Sequence, residues 1–292
     1  MAIAFARCTM NNKFSKRGMT LASRVRKQLS TLFRLPGSDR IIFTPSLLIA
    51  IQLILRLDKA ERIALGTSEY YTPEHFPGLE VKVFEPSRLV DAALEFHPQL
   101  VILSLVSWTG NLIPVSKLFK EARLALGENC PILVADCTQA GAAGFPRIDE
   151  IDADIVCGDA SKWIMPQAAQ RNLAFMWFPD SDLYSKISKY FKPFYLATEG
   201  EQLTRASRWI DPEVLQGLTY YLASMKFSRG ALRDQHAENM KLARELTDGS
   251  APTSIVLIKN PSKLRTLPKF IHELGLKWEL PEGVRILCRT QS

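Results

Sequence analysis

The chain has 292 residues, of which 47% are hydrophobic and 23% charged, with a net charge of +7. That length and apolar content suffice for a sizeable buried core, which excludes disorder over most of the chain, and no apolar run reaches the ~18 residues of a membrane span, so a soluble protein with no membrane partner is expected. The positive charge is no signature of nucleic-acid binding, because eight of the 37 basic residues (Arg7, Lys13, Lys16, Arg17, Arg24, Arg26, Lys27 and Arg34) and none of the 30 acidic ones fall in residues 1–38, which leaves the body nearly neutral.

An arginine-rich, acid-free start is also the composition of an organelle transit peptide. From Met19 to Phe33, however, Leu21, Val25, Leu29 and Leu32 recur at helical spacing, so residues 1–18 read as a basic tail leading into a domain helix. Leu35-Pro36-Gly37-Ser38 ends that helix. Strands are then expected at Arg40 to Phe43, Arg62 to Gly66, Glu80 to Phe84, Leu100 to Leu105, Pro131 to Ala135, Ala153 to Cys157 and Asn172 to Phe178, with helices at Ser46 to Leu57, Pro86 to Phe96 and Pro114 to Leu126. Seven strands alternating with helices predict a three-layer α/β domain over residues 19–200, its mostly parallel sheet covered on both faces. Beyond residue 180 the pattern changes to helices at Asp182 to Phe191, Asp211 to Met225 and Arg229 to Thr247. Short strands at Ser254 to Lys259 and Val284 to Cys288 follow, flanking a helix at Lys263 to Leu274. This reads as a smaller α+β domain over residues 201–292.

Five cysteines (Cys8, Cys130, Cys137, Cys157 and Cys288) are odd in number and lack metal-ligand spacing, which argues against a disulfide framework or a metal site and favours a reducing cytoplasm. In parallel sheets ligands gather at the carboxyl ends of the strands, and Asp136 directly follows the apolar run Ile132-Leu133-Val134-Ala135. Two segments then stand out, ILVADCTQAGAAG (132–144) and DADIVCGDASKWIMP (152–166). Read alone, Asp136 is a turn cap and Lys162 a solvated loop lysine. Read together, they offer an amine that can condense with a cofactor aldehyde and a carboxylate that can hold a pyridine nitrogen protonated.

Asp136-Cys137-Thr138-Gln139, the strand Ala153 to Cys157 and Lys162 resemble the pattern of the class V aminotransferase family of fold-type I pyridoxal-phosphate enzymes, a superfamily that includes cysteine desulfurases and kynureninases. The resemblance implies a seven-stranded fold-type I sheet, pyridoxal 5'-phosphate as cofactor, and a homodimer, since such sites are built at a subunit boundary. It implies Lys162 as the Schiff-base lysine and general base, Asp136 on the pyridine nitrogen and Gln139 on the phenolic oxygen. Ser161 stands where the family has histidine and Asp159 where a phosphate-binding serine is common. Tyr70, with Tyr71 beside it in GTSEYYTPEHF, corresponds to the residue stacked on the cofactor ring. Ser107 and Trp108, in LSLVSWTGNLIPV, lie in the segment that approaches cofactor or substrate. Ser46, at the start of the helix in FTPSLLIAIQ, is left as the hydroxyl of the phosphate grip, where Leu47 and Leu48 offer none. Arg285 and Arg289 are the candidates for holding a substrate carboxylate, because a guanidinium matches it in a bidentate fork.

Cys288 invites comparison with the mobile cysteine of desulfurases, but its surroundings do not reproduce that loop. The glycines usual after the lysine are absent from Met165-Pro166-Gln167-Ala168-Ala169, and both ends of the chain are expected to be shorter than in the family. The leading expectation is therefore an enzyme acting on a small amino acid or amine through Lys162, by transamination as a transferase or by elimination as a lyase. The alternative is a catalytically degraded class V scaffold that serves as a binding or assembly subunit. A nucleotide-binding doubly wound protein ranks below both, because no glycine-rich phosphate loop follows a strand.

Overall fold

The computed structural model describes residues 12–44, 46–57, 59–67, 69–140, 148–159, 174–191, 229–247, 249, 251, 255–258, 277–280 and 283–287. Helix α1 spans Asn12–Phe33 and buries Ala22, Val25, Leu29 and Phe33 on one face. It starts ahead of Met19, in residues 12–18, a stretch without proline. The helix closes where Ser30 Oγ donates to Leu35 O at 2.6 Å and Leu35 N–H donates to Ser30 O at 2.8 Å. Gly37 then turns the chain with φ of 73°, where a Cβ would lie 2.5 Å from Arg40 Nε.

The main sheet contains β1 (Ile41–Thr44), β2 (Arg62–Gly66), β3 (Glu80–Phe84), β4 (Leu100–Ser104), β5 (Ile132–Asp136), β6 (Ile155–Asp159) and β7 (Ala174–Trp177). Their order across the sheet is β1-β7-β6-β5-β4-β2-β3. β2 to β6 pair in parallel, whereas β7 pairs antiparallel with both β6 and β1 and so runs against the rest. The central strands are continuous apolar runs, as a sheet covered on both faces requires: every residue of β4 is buried, and β5 is buried from Leu133 to Asp136. The expected three-layer, mostly parallel α/β class is borne out.

Among the described residues of this part, four helices cover the sheet or connect its strands: α2 (Leu47–Leu57), α3 (Leu89–Phe96), α4 (Val115–Leu126) and α5 (Ser181–Phe191). Pro86 opens a 3-10 turn, Pro86–Arg88, before α3 begins, which shortens the expected helix at its start. α4 buries Val115, Leu118, Phe119, Ala122 and Leu126 at three- and four-residue intervals. From its outer face Arg123 reaches Asp154 at 2.8 Å, and the other oxygen of Asp154 accepts the N–H of Leu133 at 2.7 Å. One carboxylate thus fixes where β5 begins relative to the entry into β6.

A second sheet has the order β8-β10-β9, formed by β8 (Ile255–Ile258), β9 (Lys277–Leu280) and β10 (Gly283–Leu287), with β10 antiparallel to both neighbours. Helix α6 (Arg229–Leu246) packs beside β8. β9 was not expected from the sequence. The expected helices Asp211 to Met225 and Lys263 to Leu274 lie outside the described residues. Among the described residues no helix is long and apolar enough to cross a membrane.

Register decides what the carboxyl edge of the main sheet presents. Ser104, the end of β4, lies opposite Asp136, the end of β5, and Asp136 lies opposite Cys157, so β6 runs two residues further to Asp159. Phe119 of α4 is fully buried in the core, so Phe119→Ala is expected to cost about 3–5 kcal/mol, read as a lower urea midpoint at unchanged slope.

Candidate active site

Asp136 is the last residue of β5 and is 4% exposed, although ionised carboxylates are seldom buried without partners. Its partners are local and cross-strand. Thr138 N–H donates to Oδ1 at 2.7 Å, closing a tight turn in which the aspartate side chain stands in for a backbone carbonyl. Tyr71 Oη–H donates to Oδ2 at 3.3 Å. The turn is stapled to β6: Cys137 N–H donates to Cys157 O at 2.8 Å, and Asp159 N–H to Thr138 Oγ1 at 3.0 Å. Gln139 is buried on the same turn. Burial pushes the Asp136 carboxyl up to about 6; the hydrogen bonds from Thr138 and Tyr71 hold it down, and the charge of Asp159 pushes it further up. At neutral pH the group is therefore mostly ionised.

The loop after β2 supplies the next layer. Glu69 folds onto the tip of β4, where Ser104 N–H donates to its Oε1 at 2.6 Å and Ser104 Oγ–H donates to its Oε2. This approach needs glycine at position 66, since a Cβ there would sit 2.6 Å from Leu103 Cδ2 and 3.2 Å from Glu69 Oε1. Burial drives the Glu69 carboxyl up to about 8 against the pull of the Ser104 bonds, and the nearby Asp136 charge adds to the rise. Tyr71 is buried beneath this loop, whereas Tyr70 is 56% exposed. The Tyr70 ring lies 5.7 Å from that of Trp108 and 5.8 Å from that of His75, centroid to centroid. His75 is held in its own turn, where Nδ1 accepts Thr72 N–H at 3.1 Å, and Gln52 of α2 donates to its backbone oxygen at 2.8 Å.

The loop after β4 begins with Leu105 N–H donating to Asp136 O at 2.9 Å. Ser107 is buried; its Oγ accepts Asn111 N–H at 3.0 Å and lies 3.0 Å from Thr109 Oγ1, while Gly110 takes φ of 95° to complete the turn. Trp108, at the tip, is half-buried. On the far side, half-buried Ser46 precedes α2, and its carbonyl accepts both Ala50 N–H and Thr44 Oγ1–H at 3.1 Å.

Asp136, Gln139, Asp159, Ser107, Trp108 and Tyr70 thus lie on loops and strand ends at one edge of the sheet, with Ser46 following β1, which runs in the same direction. Arg285 lies in β10 of the second sheet, opposite Leu257 and Trp278. Lys162, Ser161 and Arg289 lie outside the described residues, as does Cys288. Sequence reasoning missed Glu69 altogether and considered Tyr71 only as a substitute for Tyr70. The available signal was the triplet Glu69-Tyr70-Tyr71 shortly after a strand-ending glycine: an acid placed among hydroxyl and aromatic residues at a carboxyl edge.

No protein-family model matches the sequence, and no curated protein matches it. Solved structures do. A ureidoglycine-glyoxylate aminotransferase from Bacillus subtilis superposes with a TM-score of 0.68 at 12% identity, covering 92% of this chain and 79% of its own. A phosphoserine aminotransferase from Cytophaga hutchinsonii gives 0.69 at 13% identity, with 96% and 86% covered. A C-DES mutant with glycine covalently linked to the PLP-cofactor gives 0.69 at 15% identity, with 97% and 84% covered. The fold is the one these proteins share, as the fold-type I expectation required.

The Glu69 carboxyl provides a test of this geometry in the protein alone. The folded chain keeps its proton up to about pH 8, whereas an unfolded glutamate releases it at 4.5, so Glu69 stabilises the fold fully below about pH 4.5 and loses that contribution as pH rises through 8. Urea unfolding across that window is expected to show a falling midpoint that Glu69→Gln, neutral throughout, flattens.

Proposed function

We propose that the chain is a pyridoxal-phosphate-dependent enzyme of the class V aminotransferase type that acts on an amino acid or amine, as a cytoplasmic homodimer whose cofactor domain spans residues 19–200 and whose smaller domain spans 201–292. The observation that carries this reading is Asp136: a buried carboxylate, ionised at neutrality, at the carboxyl end of a central strand in a fold shared with aminotransferases. Such a group suits a protonated ring nitrogen, which is itself charged and planar and can approach the lone pairs that Thr138 and Tyr71 leave open.

The residues at this edge fit the ring of the cofactor. Asp136 would accept from its nitrogen, the Gln139 amide would donate to its phenolic oxygen, and the exposed plane of Tyr70, flanked by Trp108, offers an aromatic face for stacking. For the phosphate, Ser46 and the first amides of α2 are the donors, and Ser161 adds a hydroxyl; Asp159 contributes a charge of the wrong sign. When bound, the cofactor supplies an electron sink for the bond that breaks at the substrate's alpha carbon.

The chain's own groups do the rest. Lys162 follows shortly after β6 ends at Asp159 and is the amine assigned to hold the cofactor aldehyde, and its Nζ then takes and returns the alpha proton. Arg285 and Arg289 are assigned to the substrate carboxylate, where a guanidinium fork fixes orientation. Transamination and elimination share the loss of the alpha proton, and a leaving group on the substrate's beta or gamma carbon is what would separate them.

The second reading, a scaffold that binds or assembles without catalysis, has one observation in its favour: the carboxylate of Asp159 stands at the end of β6 where an anion would be received, and its charge already acts on Asp136. Purified protein incubated with pyridoxal phosphate and then reduced with borohydride separates the two. The enzyme reading expects a visible absorption band before reduction and a label mapping to Lys162 that Lys162→Ala abolishes. A folded protein that takes no label would establish the scaffold instead.

A further inference from the structure

We propose that Tyr71, held in place by the clamp of Glu69 on Ser104, is a positioning residue for Asp136: its hydroxyl fixes the orientation of that carboxylate and its readiness to meet a protonated ring nitrogen. The inference rests on the reading of this edge as a pyridoxal-phosphate site.

Three observations converge on it. First, the two oxygens of Asp136 have different partners: Oδ1 takes the backbone N–H of Thr138 at 2.7 Å, and Oδ2 takes the phenol of Tyr71 at 3.3 Å. The backbone bond alone leaves the carboxyl plane free to rotate about the Thr138 contact, and the second bond stops that rotation. Second, both partners are withdrawn from water, Asp136 at 4% and Tyr71 at 5% exposure, so water is a poor substitute donor for the phenol. Third, Tyr71 is not free to swing away. Its loop is tied to the tip of β4 through both oxygens of Glu69, and Ser104, which takes that clamp, is the register partner of Asp136. The side chain that orients Asp136 and the strand that carries it are thereby held through one residue.

The phenol is a permanent donor here. Burial first and the Asp136 anion second push its ionisation well above the usual tyrosine range, so at neutral pH the hydrogen stays on Tyr71. Among the described residues, the other titratable groups around Asp136 are the carboxyls of Asp159 at the end of β6 and Glu69 after β2, and the thiols of Cys137 and Cys157, which burial keeps protonated. Asp159 and Glu69 carry or can carry negative charge and oppose ionisation of Asp136. Thr138 and Tyr71 favour it, and the Tyr71 contribution can be removed by a side-chain change that alters neither charge nor backbone.

Tyr71→Phe in the full chain tests the assignment. In cofactor-free protein carrying carboxyl-labelled aspartate, with Asp136→Asn identifying the resonance, the titration midpoint of Asp136 is expected to rise, its proton affinity growing roughly three- to tenfold, as loss of one neutral hydrogen bond to the charged form dictates. Pyridoxal phosphate is expected to bind Tyr71→Phe more weakly, with the pH profile of its visible absorption displaced in the same direction. Glu69→Ala, which releases the loop, is expected to broaden the Asp136 resonance and weaken pyridoxal phosphate binding in the same sense. An unmoved Asp136 midpoint in folded Tyr71→Phe overturns the assignment, whatever that variant does to stability. Wild-type protein that binds no pyridoxal phosphate overturns the functional reading and the ring-nitrogen part of this proposal with it, while the titration still decides whether Tyr71 governs Asp136.

Discussion

The 2.7 Å hydrogen bond from Thr138 N–H to Asp136 Oδ1 is where the demands of the fold and of the site meet. A charge withdrawn from water at the end of a central strand is tolerated only if donors are already in place around it, because nothing else repays its lost hydration. Those donors come from backbone whose course is set elsewhere. The turn carrying Thr138 is bonded to the end of β6, the start of β5 is pinned by Asp154, and Asp154 is in turn held by Arg123 of α4. β5 is thus fixed at both ends by carboxylates, one facing the bottom of the sheet and one the top.

Two acids at the same edge are driven to opposite states at neutral pH by their surroundings. Asp136, with a carboxyl shifted up to about 6, is largely charged, whereas Glu69, shifted to about 8, keeps its proton. Both are shifted up first by burial and held down by hydrogen bonds, Asp136 by Thr138 and Tyr71 and Glu69 by Ser104, and Glu69 in addition meets the field of Asp136. Of these two acids, one is charged and the other neutral at neutral pH, so Glu69 adds no second negative charge beside Asp136.

Much of this architecture can be read from the chain. Arg62 to Gly66 and Glu80 to Phe84 are strands at their expected bounds, because each is a short run set off by turn residues. The position of Asp136 at a strand end could be read from the apolar run that precedes it, and strand ends of this class are where ligand sites are sought. Other features depend on contacts that no local pattern encodes. An apolar run carries no sign of direction, so the reversal of β7 is settled only by its pairing with β1 and β6. β9 is a four-residue strand with a lysine and a glutamate in it, and it exists because β10 pairs with it. Glu69 goes unmarked in the sequence because its partner, Ser104, lies on a different strand. Tyr71 looked like a second stacking ring because neighbouring tyrosines are equivalent until the backbone turns one of them inward.

Flanking Asp136 are two sulfur atoms whose situation has a use of its own. Cys137 Sγ–H donates to Cys157 O at 2.9 Å, Cys157 Sγ lies 3.5 Å from Ala135 O, and a Cβ on Gly158 would touch the first sulfur at 2.8 Å, so neither thiol has room to be approached. Desolvation keeps both in the unreactive protonated form. An alkylating reagent can reach them only when β5 and β6 come apart, so the modification rate of these cysteines in native buffer is a built-in clock for how often the heart of the sheet opens.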